Sequence, residues 1–135
     1  MNDKIGEKMN ILWENNGGIT VDEKLLAFKE LKEIVTKEDL PFMVSLLKSD
    51  KNDFWTRELL GEIILDLEGV EYLDDLFEAY DQNKKDGYDN DSFSTNLVEL
   101  AELRPGECRN KVNQLLSGKD YAHKEVAEWL LQFCK

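Results

Sequence analysis

One pattern recurs along this chain and constrains its fold more than any other feature. A basic or polar residue is followed three positions later by a small or aliphatic one, then by apolar residues one and two helical turns on. Arg57, Leu60, Ile63 and Ile64 form the best copy, and Lys124, Ala127, Leu130 and Leu131 a second. Thr95, Val98 and Ala101 form a third, and Lys24, Ala27 and Leu31 a weaker fourth. The four starts are separated by 33, 38 and 29 residues, a spacing in the range of stacked helical-hairpin repeats. An amphipathic hairpin cannot bury both apolar faces alone, so neighbouring hairpins must cover one another.

The punctuation between repeats agrees with eight helices. Asn15-Asn16-Gly17-Gly18 ends a first helix from roughly Asp3 to Glu14. Thr20, with Glu23 three residues on, predicts a capping box for the second. Thr36 or Asp39 starts the third, with Pro41 in the first turn, where a missing N–H costs nothing. Asp53 predicts a cap for the fourth, which closes near Gly69. The fifth is followed by one conspicuous polar loop, Asp81 to Asp91. Pro105-Gly106 separates the sixth from the seventh, Ser117-Gly118 closes that one, and the eighth is expected over Tyr121 to Phe133. Period-two alternation never persists, so strands are not expected. The expectation is a single all-α domain over 1–135, with hairpins at about 3–36, 39–68, 70–104 and 106–134.

Charge limits the partners. The 135 residues carry a formal charge of −12 and a pI near 4.5. Phosphate contacts need clustered Lys and Arg, so nucleic acid and anionic membrane surfaces are disfavoured. A basic protein is the electrostatic complement, although carboxylates also serve solubility alone. No apolar run is long enough to span a bilayer, and the N-terminus lacks the pattern of a signal peptide, so a cytoplasmic location is expected. Cys108 and Cys134 have neither CxxC spacing nor a His-rich neighbourhood; two free thiols is the simplest reading, with one disulfide left open.

The segment from Asp39 to Glu68 resembles a HEAT-like repeat, with DLPFMVSLLKSD as outer helix and DFWTRELLGEII as inner helix. Arg57 falls where the family usually has its inner-helix Arg, and Leu60 and Gly61 lie near positions where small residues pack. The last hairpin keeps Lys124 and Ala127. The third departs with Thr95 and a longer loop, and the first departs most. The resemblance implies a short right-handed α-solenoid of about four HEAT-like hairpins. HEAT-like repeats serve scaffolds, adaptors, accessory subunits and toxin-neutralising proteins, so the fold does not choose a function.

No catalytic motif is present, and no cofactor is expected. His123, the only histidine, begins a helix and reads as solvent-facing rather than catalytic. The Asp81–Asp91 loop is not a calcium loop: Asp86 stands where Gly is required, Lys85 where an oxygen ligand belongs, and Ser92 where Glu is needed. What remains in the loop is a presented aromatic, Tyr88, among Asp86, Asp89 and Asp91, able to dock on a basic partner; a solvated insertion is the plainer alternative. Glu58 and Glu125 each directly follow the basic repeat residue and Glu99 and Glu128 lie four after a repeat start, so stacking is expected to align them, with Glu62, in one concave acidic stripe. A solvated polar face is the default for such carboxylates. Trp13 and Trp129 fit apolar stripes, whereas Trp55 lies off the centre of its stripe as a candidate interface anchor, with core or inter-repeat packing as the alternative.

Size, acidity and absence of catalytic motifs resemble those of bacterial immunity proteins that neutralise a cognate toxin. That resemblance implies an acidic module covering the positively charged active site of a nuclease-type toxin. The alternatives are a non-inhibitory adaptor or scaffold subunit and, last, a HEAT-like lyase or other enzyme.

Overall fold

The computed structural model describes residues 2–67 and 69–134. The hairpin boundary expected at Glu68, and the chain ends at Met1 and Lys135, lie outside them. The described residues form eight α-helices and two single-turn 3-10 segments, with no strand. The helices are α1 (Asn2–Trp13), α2 (Val21–Ile34), α3 (Leu40–Leu47), α4 (Phe54–Asp66), α5 (Leu73–Lys85), α6 (Asp91–Leu103), α7 (Pro105–Leu116) and α8 (Lys124–Leu131). The 3-10 turns Lys37–Asp39 and Val70–Tyr72 lead into α3 and α5.

Local chemistry explains the starts. The Thr20 hydroxyl accepts the Glu23 N–H at 3.1 Å while the Glu23 carboxylate accepts the Thr20 N–H at 3.2 Å, so two N–H groups that the helix leaves unbonded are satisfied together. At α4 the Asp53 carboxylate accepts the Thr56 N–H and the Thr56 hydroxyl accepts the Asp53 N–H, both at 2.9 Å. Proline stands in the first turn of α3 and of α7.

The loop expected over Asp81–Asp91 is shorter. α5 runs on to Lys85, leaving residues 86–90 as the connection. Its end is a Schellman turn: the Tyr88 N–H reaches the Asn83 carbonyl and the Gly87 N–H the Lys84 carbonyl, each at 3.0 Å, with Gly87 at φ +89°. A side chain is strained at that φ, which is why glycine closes the helix there. The eighth helix is also shorter than expected. Tyr121 and His123 spend their side chains on α5 before helical bonding begins, and Asp120 turns the chain with φ 59°.

Consecutive helices pack in pairs at both ends and in the first half: α1 on α2, α3 on α4, α7 on α8. In the middle, α6 draws closest to α4 and then meets α7 and α8, while α5 packs on α4, α7 and α8. Gly61 permits the α4–α6 approach. A Cβ there would lie 3.0 Å from Cζ of the buried Phe93 ring. The buried apolar side chains form one cluster from Ile5 of α1 to Cys134 beyond α8. No described helix is long and apolar enough to cross a membrane.

Candidate protein-binding site

α4 carries Glu58, Glu62 and Asp66 at successive four-residue intervals, which places them along one helical face. The close approach of α6 brings Asp91 and Glu99 to the same region. Glu62 and Asp91, with Ser92, Thr95 and Asn96, line a shallow open depression of about 290 Å³. Burial pushes the Glu58 carboxyl above its ordinary range. The Phe93 N–H, which Glu58 accepts at 3.3 Å, opposes that shift, and neighbouring Asp91 adds to it. Asp66 is likewise raised, first by burial, with Lys32 opposing and Glu62 and Glu99 reinforcing. These are carboxylates whose mutual repulsion and partial desolvation are incompletely compensated.

A lysine of α2 offsets part of this charge. Lys32 of α2 bonds Glu62 at 2.7 Å, lies 3.8 Å from Asp66, and sits 5.3 Å from the centre of the Phe28 ring. The Glu62 hydrogen bond is the main reason its pKa is raised. Glu58 also has a structural task. Its carboxylate meets an N–H in the first turn of α6, where helices leave donors unpaired and favour negative charge.

The 86–90 connection is fastened to α4. Arg57 donates to Asn83 at 2.9 Å and to Asp86 at 2.7 Å, and more distantly to the Asn52 carbonyl. The bond from Arg57 to Asp86, with one from Gln82, holds the Asp86 carboxyl below its ordinary range, Arg57 contributing most. Tyr88 stacks on Phe54 with ring centres 4.5 Å apart and planes within 13°. It is nevertheless 52% exposed, so one face of the phenol is presented to solvent. Asn83 donates to Asn90, and Asn90 donates to the Tyr80 carbonyl, each at 3.0 Å. At the other end of this chain of contacts, Asn52 caps the carbonyls of Leu46 and Leu47 and accepts the Trp13 indole N–H at 2.7 Å.

The structure therefore joins residues that the sequence presented as two regions. Glu58 and Glu62 of the expected stripe lie beside Asp91 of the expected loop, and Asp66 links Glu62 to Glu99 of the stripe. Its signal was present in the sequence, since it continues the spacing of Glu58 and Glu62. Glu125 lies apart, with its carboxylate 4.0 Å from Lys84 of α5, and Glu128 is exposed on α8; neither lines the α4–α6 depression. Asp89 is exposed beside Tyr88, whereas Asp86 is committed to Arg57. Trp55 is half-buried against the core. Trp13 and Trp129 also pack against the core half-buried, Trp129 between Tyr80 and Phe133.

His123 is not the solvent-facing residue expected from its place at a helix start. Its Nδ1 lies 2.6 Å from the Asp81 carboxylate, and only 17% of the side chain is exposed. Tyr121 beside it donates to Asp74 at 2.5 Å, and burial followed by that bond raises the phenol's pKa strongly. These contacts clamp the start of α8 to α5. Cys108 and Cys134 are buried free thiols; burial pushes the Cys108 thiol up to about 12. Among the described residues, no three or more His, Cys, Asp and Glu side chains are grouped to hold a metal ion. Compared with protein-family models, curated proteins and solved structures, the chain matches none.

Proposed function

We propose that this chain is a HEAT-like stack of helical hairpins that binds a basic protein through the acidic α4–α6 face, extended by Asp89 and the exposed ring face of Tyr88. One observation carries the reading. Glu58 lies near Asp91, Asp66 lies near Glu62 and Glu99, Lys32 pairs with Glu62 and approaches Asp66, and both Glu58 and Asp66 have carboxyl groups shifted toward the protonated form. Such a face stores unfavourable like-charge energy that a cationic partner relieves. Guanidinium or ammonium groups entering the depression would compete with Lys32 for Glu62 and satisfy Asp91. Long-range attraction from a chain of net charge −12 speeds the encounter.

The specific form of the proposal is an immunity protein against a nuclease-type toxin. Nuclease active sites present cations to phosphates, and a converging row of carboxylates meets the same cations without offering a cleavable bond. The test begins with capture from the native lysate at low and moderate salt, with the retained basic protein identified by mass spectrometry. Its nuclease activity is then assayed with this chain in saturating excess. Loss of activity in proportion to complex formed is the expected result. Undiminished activity in the saturated complex would replace inhibition with an adaptor role, and no retention of any basic protein, including a supplied basic nuclease domain, would remove the binding reading.

A further inference from the structure

Helix α2 buries Ala27 and Leu31 against its neighbours yet leaves a second apolar group in solvent. Val21 is 67% exposed, Leu25 47% and Leu26 57%, three of the few large apolar side chains in the molecule with that much exposure. Asp22, Leu25, Leu26 and Lys29 follow the i, i+3, i+4, i+7 spacing and so share one helical face. Asp22 and Lys29 are both exposed at its two ends. We infer that this face is a self-complementary interface through which two copies of the chain pair antiparallel along α2.

The pairing follows from helix geometry. In an antiparallel pair related by a two-fold axis between Leu25 and Leu26, Leu25 of each copy faces Leu26 of the other. Asp22 then stands level with Lys29 of the second copy, and Lys29 with its Asp22, so the symmetry gives two opposite-charge pairs flanking one apolar centre. A parallel pairing would set Asp22 against Asp22 and Lys29 against Lys29.

Charge distribution selects the same end of the molecule. Residues 1–34 carry five lysines against seven carboxylates, whereas residues 35–135 carry twelve basic against twenty-two acidic residues. Two copies meeting through the later helices would oppose strongly negative surfaces, and meeting through α2 brings together the nearly neutral ends. Three apolar side chains per copy make a small contact, so the dimer is weak, with a dissociation constant on the order of 100 µM.

Sedimentation equilibrium over a wide concentration range tests this on the intact chain. The average mass is expected to rise toward that of a dimer with concentration. Asp22→Lys alone and Lys29→Asp alone are each expected to weaken association by about tenfold, because each turns two attractive pairs into repulsive ones. The double variant Asp22→Lys with Lys29→Asp restores the pairs and should return association to near wild type. Leu25→Ser with Leu26→Ser abolishes it while the chain stays folded, since both residues are about half exposed and lose mainly helix propensity. A mass that stays monomeric to the solubility limit would leave α2 for a different partner and overturn the proposal. So would a dimer indifferent to the single charge changes, or a double variant that fails to recover while still folded.

Discussion

Asn83 has no exposed surface, and its side chain is bonded at both ends: its carbonyl oxygen accepts from Arg57 and its amide donates to Asn90. A buried amide is tolerated only when its polar atoms are paired. Asn83→Leu keeps the size but strips both partners of a bond, so it should cost about 2–3 kcal/mol in urea unfolding. Glu58 makes a different prediction. Its folded-state carboxyl is raised above the ordinary value of 4.5, mainly by burial. The folded chain then binds more protons than the unfolded chain between that value and the raised one, so stability falls as pH rises through the window. Asp86, lowered by Arg57, acts oppositely: its contribution is present above its ordinary value and is lost as pH falls through the lowered one. Glu58→Gln keeps an acceptor for the Phe93 N–H and should flatten the mild-acid side of the stability profile. At neutral pH its gain is on the order of 0.5 kcal/mol, because solvent screens a half-exposed group.

At the scale of elements, the decisive contact is α4 against α6. Gly61→Val must displace the Phe93 ring, which is 1% exposed and has nowhere to move, so thermal or urea unfolding should show a loss of about 2 kcal/mol. Gly61→Ala places the same Cβ 3.0 Å from that ring and should lose less than Gly61→Val, the better helix propensity offsetting part of the clash. What the sequence revealed and what it hid divide along this line. The boxes at Thr20 and Asp53 are legible because donor and acceptor lie three residues apart. The end of α5 is less so, because Gly87 closes a helix whose last turn is held by Arg57, twenty-six residues earlier than Asn83. The shortened start of α8 depends on Asp74 and Asp81, more than forty residues away. Glu58, Glu62 and Glu99 were readable from repeat position, and Asp66 from spacing. That Asp91 joins them required knowing how closely α6 approaches α4, which the lone Gly61 hinted at without naming Phe93. Glu125 and Glu128 sit apart because α8 packs on α5 and α7 as well as α6.

At the scale of the whole molecule, the acidic excess lies almost entirely after residue 34, in the part of the chain that contains the α4–α6 face. The polar contacts from Trp13 through Asn52, Arg57, Asn83 and Asn90 tie the first helix to that region and fix the backbone on which the carboxylates stand. In the proposed binding role, a face held this way would meet a basic partner with little reordering, so affinity is expected to depend on charge rather than on folding upon binding. The most direct measurement is the affinity of the captured basic partner for the wild-type chain and for Glu62→Gln/Asp91→Asn/Glu99→Gln, at several salt concentrations. Wild-type affinity should fall with salt, and the folded variant should bind about tenfold more weakly with a shallower salt dependence. A folded variant with the same affinity and the same salt dependence would contradict the assignment of this face.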